Sequence, residues 1–254
     1  GNLQDVQSEW ERFDRSTAVK LHFRHCPALE VPDSIDGFAQ LQELRVYNSS
    51  IANWGASAAI TNANHPQLTV VAVGRVNMTG GLLPLGLQSS DFPVLLVEVK
   101  FFETNLQQLP DDLDTKWNVG SSIYLENSKL PSVPAALVRL RPFYLVLAGN
   151  PIEEIPPELF DMQGMLYLVL GRTNIRELPR NVVTSTADPP FIDVRDTAVS
   201  FFWSWLDPLV QARLDYAPML LASGSTYCAE LEELKSGVSD TFSAEFQADT
   251  PHCS

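Results

Sequence analysis

The sequence predicts an α/β solenoid, a stack of about eight short units that each run out as a strand and return by an irregular or short-helical path. Three observations carry this. The 254 residues include 33 leucines that fall at regular positions rather than scattered. Two segments, 145–156 (LVLAGNPIEEIP) and 168–179 (LVLGRTNIRELP), share the pattern LxLxxNxLxxLP. The position held by Asn150 recurs as Cys26, Ser49, Val76, Thr104, Ser128, Asn150, Thr173 and Thr197, at intervals of 23, 27, 28, 24, 22, 23 and 24 residues. In each unit the first two apolar residues lie two apart, so both point to one side of a short strand. The third apolar residue and the Leu-Pro turn the chain back. One such unit cannot bury its apolar wedge alone, so neighbours must stack.

Taken in chain order, residues 1–16 form an N-terminal cap, with Val6, Trp10 and Phe13 at helix-like spacing. The repeats fill 17–200. Leu21–Pro32 is the first recognisable unit, Leu44–Ile51 and Val71–Met78 are weaker copies, and Val99–Pro110 and Ile123–Pro134 lead into the two clear ones; Ile192–Val199 is the last. Asn at the turn satisfies backbone groups of the adjacent coil; Thr, Ser and Cys do part of that work and Val76 cannot, which makes the third repeat the least secure in register. The long intervals around it predict larger excursions near Ala56–Asn64 and Gly80–Ser90. Residues 201–254, beginning with the aromatic run FFWSWLDPLVQARL and including a short helix through Leu231 and Leu234, form a C-terminal cap rather than a second domain.

This pattern resembles the leucine-rich repeat family, whose period is about 20–29 residues. The resemblance covers roughly Thr17 to Phe202. It implies a horseshoe with a parallel sheet on its concave side; cysteine-paired caps are common in extracellular members of the family, while the LPxxL spacing without an N-terminal cysteine cap also resembles intracellular ones.

Composition narrows the partners. The chain holds 17 Lys and Arg against 31 Asp and Glu, a formal charge of −14, with 45% hydrophobic residues. That excess argues against nucleic acid, which needs a basic stripe to displace counterions, and against an anionic membrane surface. The apolar runs are far shorter than the about 20 residues of a membrane-spanning helix. The segment 1–5 shows no basic-then-apolar signal pattern, although a processed chain would look the same.

The three cysteines sort separately. Cys26 holds the repeat's Asn position and is expected to be a buried free thiol. A disulfide between Cys228 and Cys253 would tie down the last segment; the alternative is two unpaired thiols, and the resemblance points to the pair. Two N-glycosylation sequons, at Asn48 and Asn77, fall at strand-to-return turns. Sequons and a paired cap favour a secreted protein or receptor ectodomain, with a cytoplasmic protein as the alternative.

No catalytic, cofactor or metal-binding motif is present, so no enzyme activity, cofactor or metal is expected. His22 and Cys26 lie close in sequence but point to opposite sides of the strand, which cannot make a metal site. Asp111, Asp112 and Asp114 follow a Leu-Pro and read as helix-terminus residues.

The register predicts the residues on the concave face, in three columns beginning at Lys20, His22 and Arg24. Lys20, His22, Arg24 and Arg45 form a basic patch. Tyr124, Tyr144, Val146, Tyr167, Val169 and Phe191 form an apolar and aromatic surface, with Ala148 and Gly171 leaving space and Arg172 and Arg195 at its side. Neighbouring strands stand about 4.8 Å apart, so these residues would be contiguous, and contiguous exposed apolar surface marks interaction sites. The expected role is non-catalytic recognition of a protein or peptide ligand. Against it stand three readings: aromatics that pack on one another or lie under the C-terminal cap, an intracellular signalling scaffold, and a structural cell-surface protein without a specific ligand.

Overall fold

In a computed structural model, the residues described here are 2–183, 190–207, 219–238 and Cys253. The chain divides into two compact units, Gly1–Lys129 with Pro134–Pro142, and Leu130–Val133 with Phe143–Ser254.

The first unit opens with helix α1 (Leu3–Trp10), whose Asn2 side chain accepts a hydrogen bond from the Asp5 amide. Val6 and Trp10 are buried, and the Trp10 ring lies 4.8 Å from Phe38 and 6.1 Å from Phe23. The helix ends before Phe13, which leaves that ring about half exposed beside Phe38 instead of on the helix's apolar stripe. Strands β1 (Lys20–Arg24), β3 (Glu43–Asn53), β4 (Val70–Met78), β5 (Glu98–Phe102) and β6 (Ser122–Glu126) follow in that order across a parallel sheet. A two-residue strand, β2 (Leu29–Glu30), joins the far end of β3. Leu21, Leu44, Val71, Val99 and Ile123 stand opposite one another and point into the core, as the two-residue spacing requires.

The second unit repeats this pattern with shorter strands: β7 (Tyr144–Val146), β8 (Tyr167–Val169), β9 (Phe191–Asp193) and β10 (Leu220–Leu221), again all parallel. The last of these lies within the segment read as a cap. Leu220 pairs with Ile192, Gly224 takes a left-handed φ of 73°, and the buried Ser225 accepts a hydrogen bond from the Cys228 amide at the start of helix α3 (Thr226–Lys235). Leu220, Ala222 and Ser225 thus stand where Ile192, Val194 and Thr197 stand one coil earlier. Cys228 and Cys253 form a disulfide, with Cα atoms 5.6 Å apart.

Two backbone devices recur in both units. The residue before each aligned position has a positive φ: His25, Asn48, Arg75, Glu103, Asn127, Gly149, Arg172 and Asp196. Only one of these eight is glycine, so the bend is imposed by the stack against the local preference of L-residues. It swings the next side chain inward, where it bonds backbone. Ser49 Oγ accepts from the Cys26 amide and donates to the Tyr47 carbonyl; Asn150 accepts from the Leu130 amide at 3.1 Å and donates to the Leu147 carbonyl at 2.8 Å; Thr173 and Thr197 donate to carbonyls three residues back. Val76 keeps the register, opposite Ser49. Two residues further on, Asn105 from the next coil binds both the amide and the carbonyl of Met78, at 2.7 and 2.8 Å.

The return segments are mostly 3₁₀ turns plus helix α2 (Ala135–Leu140). Asp112 holds the N-cap position of the 3₁₀ turn Leu113–Thr115 without a side-chain capping bond and Asp114 lies within that turn; they pair with Lys116 and Arg139. His65 is fully buried in one such segment. Its Nδ1 accepts from the Thr61 amide and its Nε2 donates to the Ile35 carbonyl.

Candidate functional site

The strand faces opposite the core carry the columns expected from the repeat. In the first unit Lys20, Glu43, Val70, Glu98 and Ser122 are direct partners, as are His22, Arg45, Ala72, Lys100 and Tyr124. In the second unit Tyr144, Tyr167 and Phe191 form one row and Val146, Val169 and Asp193 the next.

In the second unit the rings meet. Tyr144 and Tyr167 stack with centroids 5.0 Å apart and planes within 9°, and Tyr167 and Phe191 follow at 5.1 Å. Phe143 adds an edge-on contact to Tyr144 at 5.2 Å. The rings pack on one another and still meet solvent: Phe143, Leu166 and Tyr167 are each about 40% exposed. Phe143 and Leu166 were not among the sequence candidates. Alternation puts them on the core side with Leu145 and Leu168, but both precede the first strand residue and lie outside the pleat.

Other candidates sit differently from expectation. Val146 and Ala148 are buried, as short side chains low among long ones; Val169 is half-buried. Arg195 is folded back onto the buried Asp193 carboxylate, with Nη2 to Oδ2 at 2.6 Å and its own amide donating to Oδ1. A Cβ on Gly171 would stand 3.1 Å from the Arg195 carbonyl and 3.6 Å from the Asp193 Oδ1, so that position is bounded by its neighbours rather than open. Arg172 remains exposed. Tyr124 belongs to the first unit, where the Lys100 ammonium lies 4.6 Å over its ring.

The basic patch of the first unit has an acid at its centre. Glu43 pairs with Lys20 at 3.4 Å, with His22 Nε2 at 3.1 Å, and closely with Arg45. Burial pushes the Glu43 carboxyl up, but the His22 hydrogen bond and the Arg45 and Lys20 charges outweigh it and hold the group below its ordinary value. Further along this face Lys100 pairs with Glu98 and Arg75 with Glu103.

Cys26 is a free thiol, half-buried rather than buried, with its sulfur toward the Arg24 carbonyl. Among the described residues no group of three or more His, Cys, Asp or Glu is placed to hold a metal ion, and no helix is long and apolar enough to cross a membrane. Asn48 and Asn77 are both exposed, and the Asn48 amide nitrogen is 2.8 Å from His25 Nδ1. Compared with known proteins, the chain matches no family model and no curated relative at a significant level.

Proposed function

We propose that this chain is an extracellular leucine-rich repeat module that recognises a protein or peptide, without catalysis, on the strand face of its second unit. The observation that carries this reading is the ladder Phe143–Tyr144–Tyr167–Phe191, a continuous run of ring contacts that stays partly exposed. Rings already held against one another lose little freedom on binding and offer apolar surface with tyrosine hydroxyls available for hydrogen bonds, the profile of interface hot spots. Arg172, exposed at the edge, would favour an acidic residue in the partner. The Cys228–Cys253 disulfide supports an oxidising compartment, and the exposed sequons at Asn48 and Asn77 are compatible with one.

The test is a Tyr144→Ala/Tyr167→Ala variant in a crosslinking capture from extracellular proteins. Loss of at least about tenfold in affinity for the captured protein, with the melting temperature little changed, is the expected result. Capture that is indifferent to the double substitution removes the ladder as the binding site. Separately, bare Asn48 and Asn77 after secretion from a eukaryotic host, together with reduced cysteines, would move the protein to the cytoplasm and to a scaffold role.

A further inference from the structure

The first unit holds a second feature that the aromatic ladder does not use. Strand β4 carries the smallest side chains of its face, Ala72 and Gly74, between the long side chains of β3 and β5. The result is a depression of about 330 Å³ whose lining includes Arg24, Arg45, Tyr47, Ala72, Gly74 and Phe102. Gly74 is required there. A Cβ on it would lie 2.0 Å from the Phe102 ring, so the absence of a side chain lets that ring fold across β4 toward Tyr47, 6.3 Å away between centroids. The two rings make an apolar wall over a small-residue floor.

The charge at this depression is not balanced. Arg45 shares Glu43 with Lys20 and His22, and Arg24 has no carboxylate partner among the described residues. Of the groups that line it, Arg24 and Arg45 are cationic, and against the Glu43 carboxylate that Arg45 contacts they leave an excess of one positive charge beside an apolar floor. Guanidinium groups recognise planar anions through paired hydrogen bonds, and the volume lies at the lower end for a small-molecule pocket. The lining groups that can donate are Arg24, Arg45, His25 and the Tyr47 hydroxyl, while the Phe102 ring, Ala72 and Gly74 offer only apolar or bare surface, which a fully polar dianion such as phosphate would leave unused. We infer that this depression is a binding site for a carboxylate carried on an aromatic or apolar stem, with Arg24 and Arg45 holding the carboxylate and Tyr47 and Phe102 the stem.

Such a group is borne either by a free organic acid or by an acidic residue next to an aromatic one in a peptide. The full chain is titrated calorimetrically with 3-phenylpropanoate, with its neutral isostere 3-phenylpropanamide, and with the capped dipeptide N-acetyl-Phe-Asp-amide. The acid or the dipeptide is expected to bind at least about tenfold more tightly than the amide, the loss of one charged contact being worth that much. Arg24→Gln should cost a similar factor, and Ala72→Leu, which fills the floor, should abolish binding. Arg24 is exposed, so R24Q keeps the fold; a thermal melt checks A72L. The Tyr144→Ala/Tyr167→Ala variant should bind as wild type, which separates this site from the proposed ladder. A preference for the dipeptide assigns the group to a protein ligand, and a preference for the free acid to a small molecule; either supports the site. Equal binding of acid and amide, no binding of either carboxylate, or affinity unmoved by both R24Q and A72L overturns it.

Discussion

The two units use one backbone frame to present opposite chemistries. In the first unit, strands β3 and β4 run to eleven and nine residues and the outward face is held by ion pairs. In the second, β7, β8 and β9 have three residues each and the outward face is held by stacked rings. The left-handed residue and the inward hydrogen-bonding side chain occur in both. Frame and face are therefore separable: inward positions answer to the core, while outward ones are free to carry charge, rings or a depression. The proposed function therefore rests on particular side chains and not on the fold.

The comparison can be broken most strongly at the frame. Asn150 is buried and serves both an amide and a carbonyl. Asn150→Ala leaves both groups without that partner and should cost about 2–3 kcal/mol, read from chemical denaturation. Ser49→Ala, at the same position in the first unit, should cost about 1 kcal/mol because the hydroxyl is less buried and smaller. Equal, negligible losses would mean that these side chains are passengers and the frame is held by apolar packing alone.

The next effect should appear in the first unit only. Burial drives the His65 pKa below its ordinary 6.5, against the opposing pull of the hydrogen bond to the Ile35 carbonyl and of Asp36. The folded state thus resists the proton: the contribution of His65 to stability is complete above about 6.5 and is lost as pH falls through the lower folded value. Stability should decline between pH 7 and 5, and a His65→Gln variant should flatten that decline while lowering stability at pH 7. An unchanged pH profile in the variant would place the titration elsewhere.

Smallest is the effect of the outward charges. Glu43→Gln removes the acid shared by Lys20, His22 and Arg45, and should cost about 1 kcal/mol or less, shrinking further in high salt. A larger loss, insensitive to salt, would show that this face is structural rather than free to carry function.

Much of this architecture is legible in the sequence because the repeat is a local rule. A period of two along each strand decides which residues face out, so Tyr144, Tyr167 and Phe191 fall in one row, as do Lys20 and Glu43. The spacing also keeps Val76 in line although it lacks the polar group its position favours. The strand at Leu220–Leu221 escaped this rule. It lies 28 residues beyond Ile192 and carries Ala222 rather than a large apolar residue at its second inward position, so the repeat pattern does not single it out within the segment 201–254.

What the sequence alone determined is therefore the alternation, the parallel stacking of similar units, and which side chains share a face. Only the tertiary structure decided what those side chains do there: that Glu43 gathers three basic groups, that Arg195 folds onto Asp193 instead of reaching outward, that Val146 is covered, and that Phe102 closes over Gly74. The reason is physical. Facing depends on neighbours one and two residues along the chain, whereas ion pairing, stacking and the shape of a depression depend on atoms brought within a few ångströms from strands more than 20 residues apart, where side-chain length and competition for partners set the outcome.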